Sequence, residues 1–337
     1  MAPRPWTSRN ILITGGTGSL GQAFCAWVLR HRPPRTLTVF SRDEFKQSEM
    51  RANPTFQHPA MRWVIGDVRD RTRLEDAMTG INTVVHAAAM KQVPAIEDNP
   101  LEAVRTNIIG TMHVLEACIT KGVQQACFIS SDKSVAASTT YGGTKFTAER
   151  LWIRGAKNTG ESNLALSAVR YGNVAGSRGS VVPYFRKLIT EGRPITLTDD
   201  RMTRFWITLD QAVHLITSAI DRSEDRKAGW QSAEILIPKL PAFRVPDLAR
   251  AMTGIFGGEI SPTNKGIRLG EKLHEVLISR DESRSCDWEH LYHTIILRPN
   301  SEHPSTGVEV SSETTLHEPV DVIESWVRSL TRDLTGF

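Results

Sequence analysis

The chain has 337 residues, 40% of them hydrophobic and 23% charged, a balance that suits a globular fold with ample core material. Its 41 basic and 37 acidic residues leave a formal charge of +4; they are interspersed, which argues against a nucleic-acid partner and suits anionic small ligands. No run approaches the ~20 apolar residues of a membrane span, residues 1–10 lack the apolar centre of a signal peptide, and Cys25, Cys118, Cys127 and Cys286 show no metal-ligand spacing. A cytoplasmic protein with buried thiols, no metal and no membrane contact is expected.

Residues 1–9 read as a loose tail. Asn10–Thr14 is a short apolar strand that runs into Gly15-Gly-Thr-Gly-Ser-Leu-Gly21, and a helical pattern follows over residues 22–30. Glycines in that position allow a tight turn and let backbone N–H groups reach a pyrophosphate. Gly15, Thr17, Gly18, Ser19, Leu20 and Gly21 are therefore candidate cofactor contacts. The second strand, Thr36–Ser41, ends in Ser41-Arg42. An acidic residue there would take the ribose 2′-hydroxyl of NAD, whereas a hydroxyl and a guanidinium suit a 2′-phosphate, which favours NADP. Asp43 follows directly and keeps NAD open.

A third strand at 62–65 precedes Asp67 and Val68, placed for the adenine edge, with helix capping an alternative role for Asp67. The fourth strand, Thr83–His86, leads to Ala87, Ala88 and Ala89, small enough for a cofactor to pass closely, and then to Lys91, which lines the site or sits in solvent. Asn107 lies in a helix over 103–118. It counts among the cofactor positions, with a structural role, holding a helix kink or a water near Lys145, ranked first.

Strand 125–130 runs into Ser131, Asp132 and Lys133. Tyr141 and Lys145 are four apart and share one helix face, where an ammonium would lower the phenol pKa and make a base usable near neutral pH. A hydroxyl, a phenol and a lysine suit alcohol oxidation by a nicotinamide; the added Asp132-Lys133 pair points to a further step. After a strand at 164–171 the rhythm changes, with prolines such as Pro183, Pro194 and Pro238 breaking the segments. The expected organisation is a Rossmann-like, doubly wound α/β parallel sheet over residues 10–172. A smaller, mostly helical substrate lobe at 173–299 would interleave with it, followed by a loop and terminal helix at 300–337.

Gly15-x-x-Gly18-x-x-Gly21, Asn107 and Tyr141-x-x-x-Lys145 together resemble the extended short-chain dehydrogenase/reductases. Ser41-Arg-Asp-Glu44, His86-Ala-Ala-Ala-Met-Lys-Gln-Val-Pro94, Ser131-Asp-Lys133, Arg170-Tyr-Gly-Asn-Val174, Arg201-Met-Thr-Arg-Phe-Trp206 and Gly270-Glu-Lys-Leu-His-Glu275 narrow the resemblance. They are similar to inverting UDP-N-acetylglucosamine 4,6-dehydratases of the pseudaminic acid type. The resemblance implies that Tyr141, at the nicotinamide, takes the proton of the sugar 4-hydroxyl as hydride leaves C4 for a tightly held, recycled NADP⁺ whose ribose Lys145 holds. Ser131 would bind the C4 oxygen, Lys133 would remove the C5 proton, and Asp132 would help the 6-hydroxyl leave as water.

The same resemblance places UDP in the second lobe. Arg204 and Arg268 would meet its phosphates or ribose, Asn173 and the backbone of Ser180, Val181, Val182 and Pro183 would close over the diphosphate, and Glu271 over the ribose. It also implies a homo-oligomer, a dimer or hexamer. The chain departs from the family at 134–140, which lacks the usual Asn and Pro, and at Gln92, Ser131 and Gly143. Competing expectations are a dehydratase releasing a 5,6-ene or a non-inverted 4-keto sugar, a 4-epimerase, and a non-catalytic NADP-binding sensor.

Overall fold

The computed structural model describes residues 6–158, 164–177, 179–224, 233–261, 264–268, 270–291, 293–299 and 307–334. Short aliphatic runs alternate with amphipathic helices through the first half. They form β1 (Asn10–Thr14), α1 (Ser19–His31), β2 (Thr36–Ser41), α2 (Glu44–Ala52), β3 (Met61–Ile65), α3 (Arg71–Ala77) and β4 (Thr83–His86). Then come α4 (Val93–Asp98), α5 (Pro100–Ala103), α6 (Gly110–Thr120), β5 (Gln125–Ile129), α7 (Thr140–Asn158) and β6 (Ala165–Val169).

The second half carries β7 (Asn173–Val174), α8 (Val181–Thr190), β8 (Thr203–Ile207), α9 (Leu209–Glu224), β9 (Glu234–Pro238), β10 (Ala242–Arg244) and α10 (Val245–Phe256). It closes with β11 (Val276–Ile278), α11 (Arg280–Arg284), β12 (Cys286–Leu291), β13 (Thr294–Pro299), β14 (Val310–Ser311) and α12 (Val320–Leu334).

Among the described residues nine strands make the central sheet, in the order β12-β13-β9-β6-β5-β4-β1-β2-β3. β1 pairs in parallel with β2 on one side and β4 on the other. The chain therefore leaves β1 at a point where strand order reverses, and a crevice opens beyond the carboxyl ends of the strands. Every residue of β4 and β5 is buried, as expected for strands covered on both faces.

The second half does more than form a lobe. β9 adds to β6 in parallel, and the β12–β13 hairpin extends the sheet in antiparallel fashion. These strands escape a periodicity reading because short apolar runs broken by proline do not distinguish strand from buried helix. The remaining elements build a second core around Val182, Phe185, Trp206, Phe243, Met252 and Ile323, carried by α8, β8, β10, α10 and α12.

Other expectations are corrected. Residues 1–5 lie outside the described residues, but 6–9 are not a loose tail: Trp6 is fully buried and donates to Asp221 Oδ1 at 3.0 Å. The helix expected over 103–118 contains a π-helical stretch, Val104–Ile109. Pro183 does not break a segment; it lies in the first turn of α8, where a missing N–H leaves no intrahelical bond unmade. The loop expected at the start of 300–337 includes β14, and residues 300–306 lie outside the described set. All four cysteines are buried.

Beneath the site lies a buried ion triad. Arg170, just past β6, donates to Glu149 of α7 at 2.5 Å and to Glu282 of α11 at 2.7 Å, and all three side chains are at most 6% exposed. Glu149 also accepts from Ser130 at 2.5 Å, so one carboxylate ties α7 to the end of β5.

Candidate active site

One continuous cavity of about 1050 Å³ runs along the carboxyl edge of the sheet and under the second lobe. At its cofactor end, Gly15 has φ +68°, and a Cβ there would fall 2.8 Å from Ala88 Cα. Gly21 is equally constrained, its added Cβ only 2.5 Å from Gly16 Cα. Gly18 caps α1 with no side-chain hydrogen bond, and the first turn of this thirteen-residue helix lines the cavity. That arrangement fits a pyrophosphate. Thr17, Gly18, Ser19, Leu20, Val68 and Ala87–Ala89 line the same wall.

At the end of β2 the Ser41 hydroxyl is paired with Thr17 Oγ1 at 2.9 Å. Asp43 is taken up in capping α2: its Oδ1 accepts from Lys46 N at 3.0 Å, and its carboxylate pairs with Lys46 Nζ at 2.9 Å. Arg42 reaches the cavity with its guanidinium 3.6 Å from Asp67 and its side chain 59% exposed. Lys46, which the sequence reading missed although it follows Arg42 by one helical turn, lines the same corner. Asp67 is not the cap of α3; Asp70 is, accepting from Arg73 N at 2.9 Å. Asp67 instead accepts from Arg69 N at 3.0 Å.

Asn107 sits in the π-helical stretch, is 1% exposed and is absent from the cavity wall. Its amide accepts from Met90 N at 2.8 Å and donates to Met90 O and Thr144 Oγ1 at 3.1 and 3.0 Å. It clamps the loop after β4 to the helix that carries Tyr141 and Lys145. Its place among the cofactor contacts is corrected accordingly.

Four of the five expected catalytic residues, Ser131, Lys133, Tyr141 and Lys145, line the cavity, while Asp132 lies buried behind the wall. A 3-10 turn at Asp132–Ser134 follows β5 directly, and Ser131 caps it. Ser131 Oγ donates to Asp132 Oδ1 at 2.9 Å, and Lys133 Nζ donates to the same oxygen at 3.0 Å and to Asn173 Oδ1 at 2.9 Å. Gly142 of α7 packs over this turn; a Cβ there would fall 2.4 Å from the Lys133 carbonyl oxygen.

The electrostatics differ from the expected pairing. Burial raises the Tyr141 pKa, and the groups pulling it back down are Lys133 and the Ser131 hydroxyl beside it. Lys145, on the same cavity wall, donates to Ile129 O at 2.6 Å and lies 4.5 Å from the centre of the Phe128 ring. Burial lowers its own pKa to about 8, against the pull of Glu149. Helical spacing gave the shared face but not the rotamer, and a buried ammonium turns to the nearest carbonyl.

Asp132 is fully buried, and burial raises its pKa. Lys133 moves up too: burial opposes its charge, but Asp132 and Glu275 outweigh it. Glu275, to which the sequence reading gave no role although it closes the resembling block Gly270–Glu275, lies 3.4 Å from Lys133 Nζ and lines the cavity.

The second lobe places its expected residues unevenly. Ser180, Val181 and Val182 line the cavity at the start of α8, and the buried Ser180 hydroxyl has no partner among the described residues. Pro183 is not on the wall. Asn173 serves Lys133 first. Arg204 is on the wall, but its guanidinium donates to the carbonyls of Thr203, Leu273 and Lys272 at 2.7, 2.9 and 3.0 Å, so it ties β8 to the 271–275 loop. Arg268 and Lys91 are exposed on the wall, and Glu271 accepts from Arg268 N at 3.2 Å. The divergent loop is pinned at both ends: Val135 O accepts from Lys272 Nζ at 2.6 Å, Ser138 Oγ donates to Gly270 O at 2.6 Å, and Thr140 Oγ1 donates to Glu97 at 2.8 Å. Gln92 lies against Gly179 at the entry to α8.

A glycine cradle at the switch point of a mostly parallel sheet, with Tyr141 and Lys145 on the helix after β5, defines an extended short-chain dehydrogenase/reductase fold. Over residues 11–296 the chain belongs to the family described as "Polysaccharide biosynthesis protein". It is 43% identical over 289 residues to the UDP-N-acetylglucosamine 4,6-dehydratase (inverting) of Campylobacter jejuni, covering 85% of this chain and 83% of that one. It is 37% identical to a UDP-glucose 4-epimerase of Rickettsia rickettsii, covering 84% and 81%. The crystal structure of Pen from Bacillus thuringiensis superposes with a TM-score of 0.87 at 35% identity, covering 97% of this chain and 98% of that one. Among the described residues no helix is long and apolar enough to cross a membrane, and no group of three or more His, Cys, Asp or Glu side chains could hold a metal.

Proposed function

We propose that the chain is a UDP-N-acetylglucosamine 4,6-dehydratase that inverts C5, an NADP-dependent lyase working in the cytoplasm as a homo-oligomer. The observation that carries this reading is Ser131, Lys133 and Tyr141 on one cavity wall, with Asp132 buried just behind it and hydrogen-bonded to both Ser131 and Lys133. Residues 10–172 then hold the cofactor and 173–299 the UDP-sugar, with Ser180 and the start of α8 receiving phosphate and Arg268, Lys91 and Glu271 lining the sugar-nucleotide end.

Nicotinamide supplies a hydride acceptor for C4 and a donor for C6. Tyr141 takes the 4-hydroxyl proton, and Ser131 holds the oxygen as it becomes a carbonyl. The ketone acidifies C5–H. Lys133 removes that proton, Asp132, its pKa raised by burial, acts as the acid toward the departing 6-hydroxyl, and water leaves. C6 then takes up the hydride, and C5 takes a solvent-derived proton on the opposite face, which inverts it. Lys145 and Asn107 hold the cofactor side of α7 in place.

Incubation with UDP-N-acetylglucosamine in D₂O, followed by NMR, tests this. A 6-deoxy-4-keto sugar with deuterium at C5 and changed C5 configuration is expected. Conversion to the C4 epimer without C5 exchange would instead select epimerisation, the activity named for the Rickettsia relative.

The NADP preference rests on Arg42 and Lys46 at the end of β2, with Asp43 engaged as a helix cap. Arg42→Ala should weaken NADP binding about tenfold and leave NAD binding within about twofold, since one exposed charge-assisted contact is removed. Isothermal titration with each dinucleotide measures it, and equal losses for both would count against a 2′-phosphate contact.

A further inference from the structure

Two buried carboxylates face Lys133 from opposite elements. Asp132 comes from the turn after β5; Glu275 comes from the loop before β11, 4% exposed, its backbone N–H anchored to Ser312 Oγ at 2.9 Å. The resting ammonium poses a difficulty for the proposed chemistry, because a protonated lysine cannot accept the C5 proton until it gives one up. Glu275 Oε1 is 3.4 Å from Lys133 Nζ, and Glu275 Oε2 is buried without a hydrogen-bond partner among the described residues.

Resting on the dehydratase reading, we infer that Glu275 is the proton acceptor behind Lys133, so that Lys133 passes a proton to Glu275 as it takes one from C5. The C5–H bond breaks, and its electrons form the C5–C6 double bond as the C6–O bond breaks. One N–H bond forms on Lys133 and another breaks, an O–H forms on Glu275, and the Asp132 proton joins the leaving oxygen as water. Glu275 touches no reacting carbon and is a positioning residue acting through Lys133.

The charges around the pair support opposite roles for the two carboxylates. Lys133 of the 3-10 turn, Arg204 of β8 at 3.9 Å and Lys272 of its own loop at 3.6 Å surround Glu275, with Asp132 and Tyr141 beyond Lys133. Burial opposes ionisation of Glu275, but those three cations win and hold its pKa down, while Asp132 goes up. Glu275 is thereby kept ionised and free of a proton, while Asp132 is biased toward holding one.

Deuterium wash-in at C5 as a function of pH, on the NADP-loaded enzyme, tests the relay. The wild-type rate should be flat through neutral and mildly alkaline pH, because the acceptor is already ionised. Glu275→Gln should lose about 10²-fold of the exchange while substrate still reduces the cofactor. Its residual rate should climb with pH, since Lys133 must then lose its proton to solvent. Glu275→Asp should restore the flat profile. A Glu275→Gln rate or profile equal to wild type overturns the inference. Should that variant fail to fold, the wild-type profile decides: a rate climbing with pH like that of a free amine overturns it. No C5 exchange in wild type at any pH would sink the dehydratase reading, and this inference with it.

Discussion

Lys133→Met should abolish dehydration, lowering C5 exchange and keto-sugar release by about 10³-fold, while NADP binding is retained. Oxidation at C4 should slow but persist, because Lys133 is also the cation that pulls down the pKa of Tyr141. Reduced cofactor should therefore accumulate when sugar is added. Methionine also leaves Asp132 and Glu275 without their shared cation, so Lys133→Arg is the companion variant. Arginine keeps the charge between the two carboxylates yet cannot serve as a base, being protonated at any working pH. It should fold like the parent and exchange no better than Lys133→Met. Full turnover in either variant would remove Lys133 from its assigned role.

Arg170→Met should destabilise the fold by about 3–5 kcal/mol, because it strands two buried carboxylates, Glu149 and Glu282, without their common partner. Urea unfolding measures this, and a loss under about 1 kcal/mol would show that the triad adds little. Adding Glu149→Gln and Glu282→Gln to Arg170→Met should recover much of the loss, since no unpaired charge then remains buried. The triad also predicts an acid limb. Burial raises the Glu282 pKa, but Arg170 and Arg150 outweigh it and hold the folded-state value down. Its stabilisation is therefore present above the ordinary glutamate range and lost as pH falls through the depressed value. The effect should reach the site, because Glu149 holds Ser130, one residue from Ser131.

The strands β1 to β6 and the helices α1, α6 and α7 were legible in the chain because each strand carries a short apolar stretch ended by a turn; α2 to α5 were not placed. The glycine spacing, Ser131-Asp132-Lys133 and Tyr141-x-x-x-Lys145 are local features, and chain distance alone brings them to the sheet edge. β9, β12 and β13 were not legible: a strand that joins a sheet after a long excursion carries no signal of its partner.

The departures in the site have the same origin. Spacing four residues apart put Tyr141 and Lys145 on one face of α7, but the carbonyl of Ile129, at the end of β5, receives the ammonium. Arg204 carries the residue type of a phosphate ligand, yet the carbonyls of the 271–275 loop, some seventy residues on, occupy its guanidinium. Glu275 was visible only as the last letter of a block. Sequence by itself determined the reaction's residue types, because the chemistry of a hydroxyl, a phenol, a carboxyl and an amine travels with the side chain. Only the tertiary structure decided their protonation, because that depends on burial and on charges brought within about 4 Å from elements far apart in the chain.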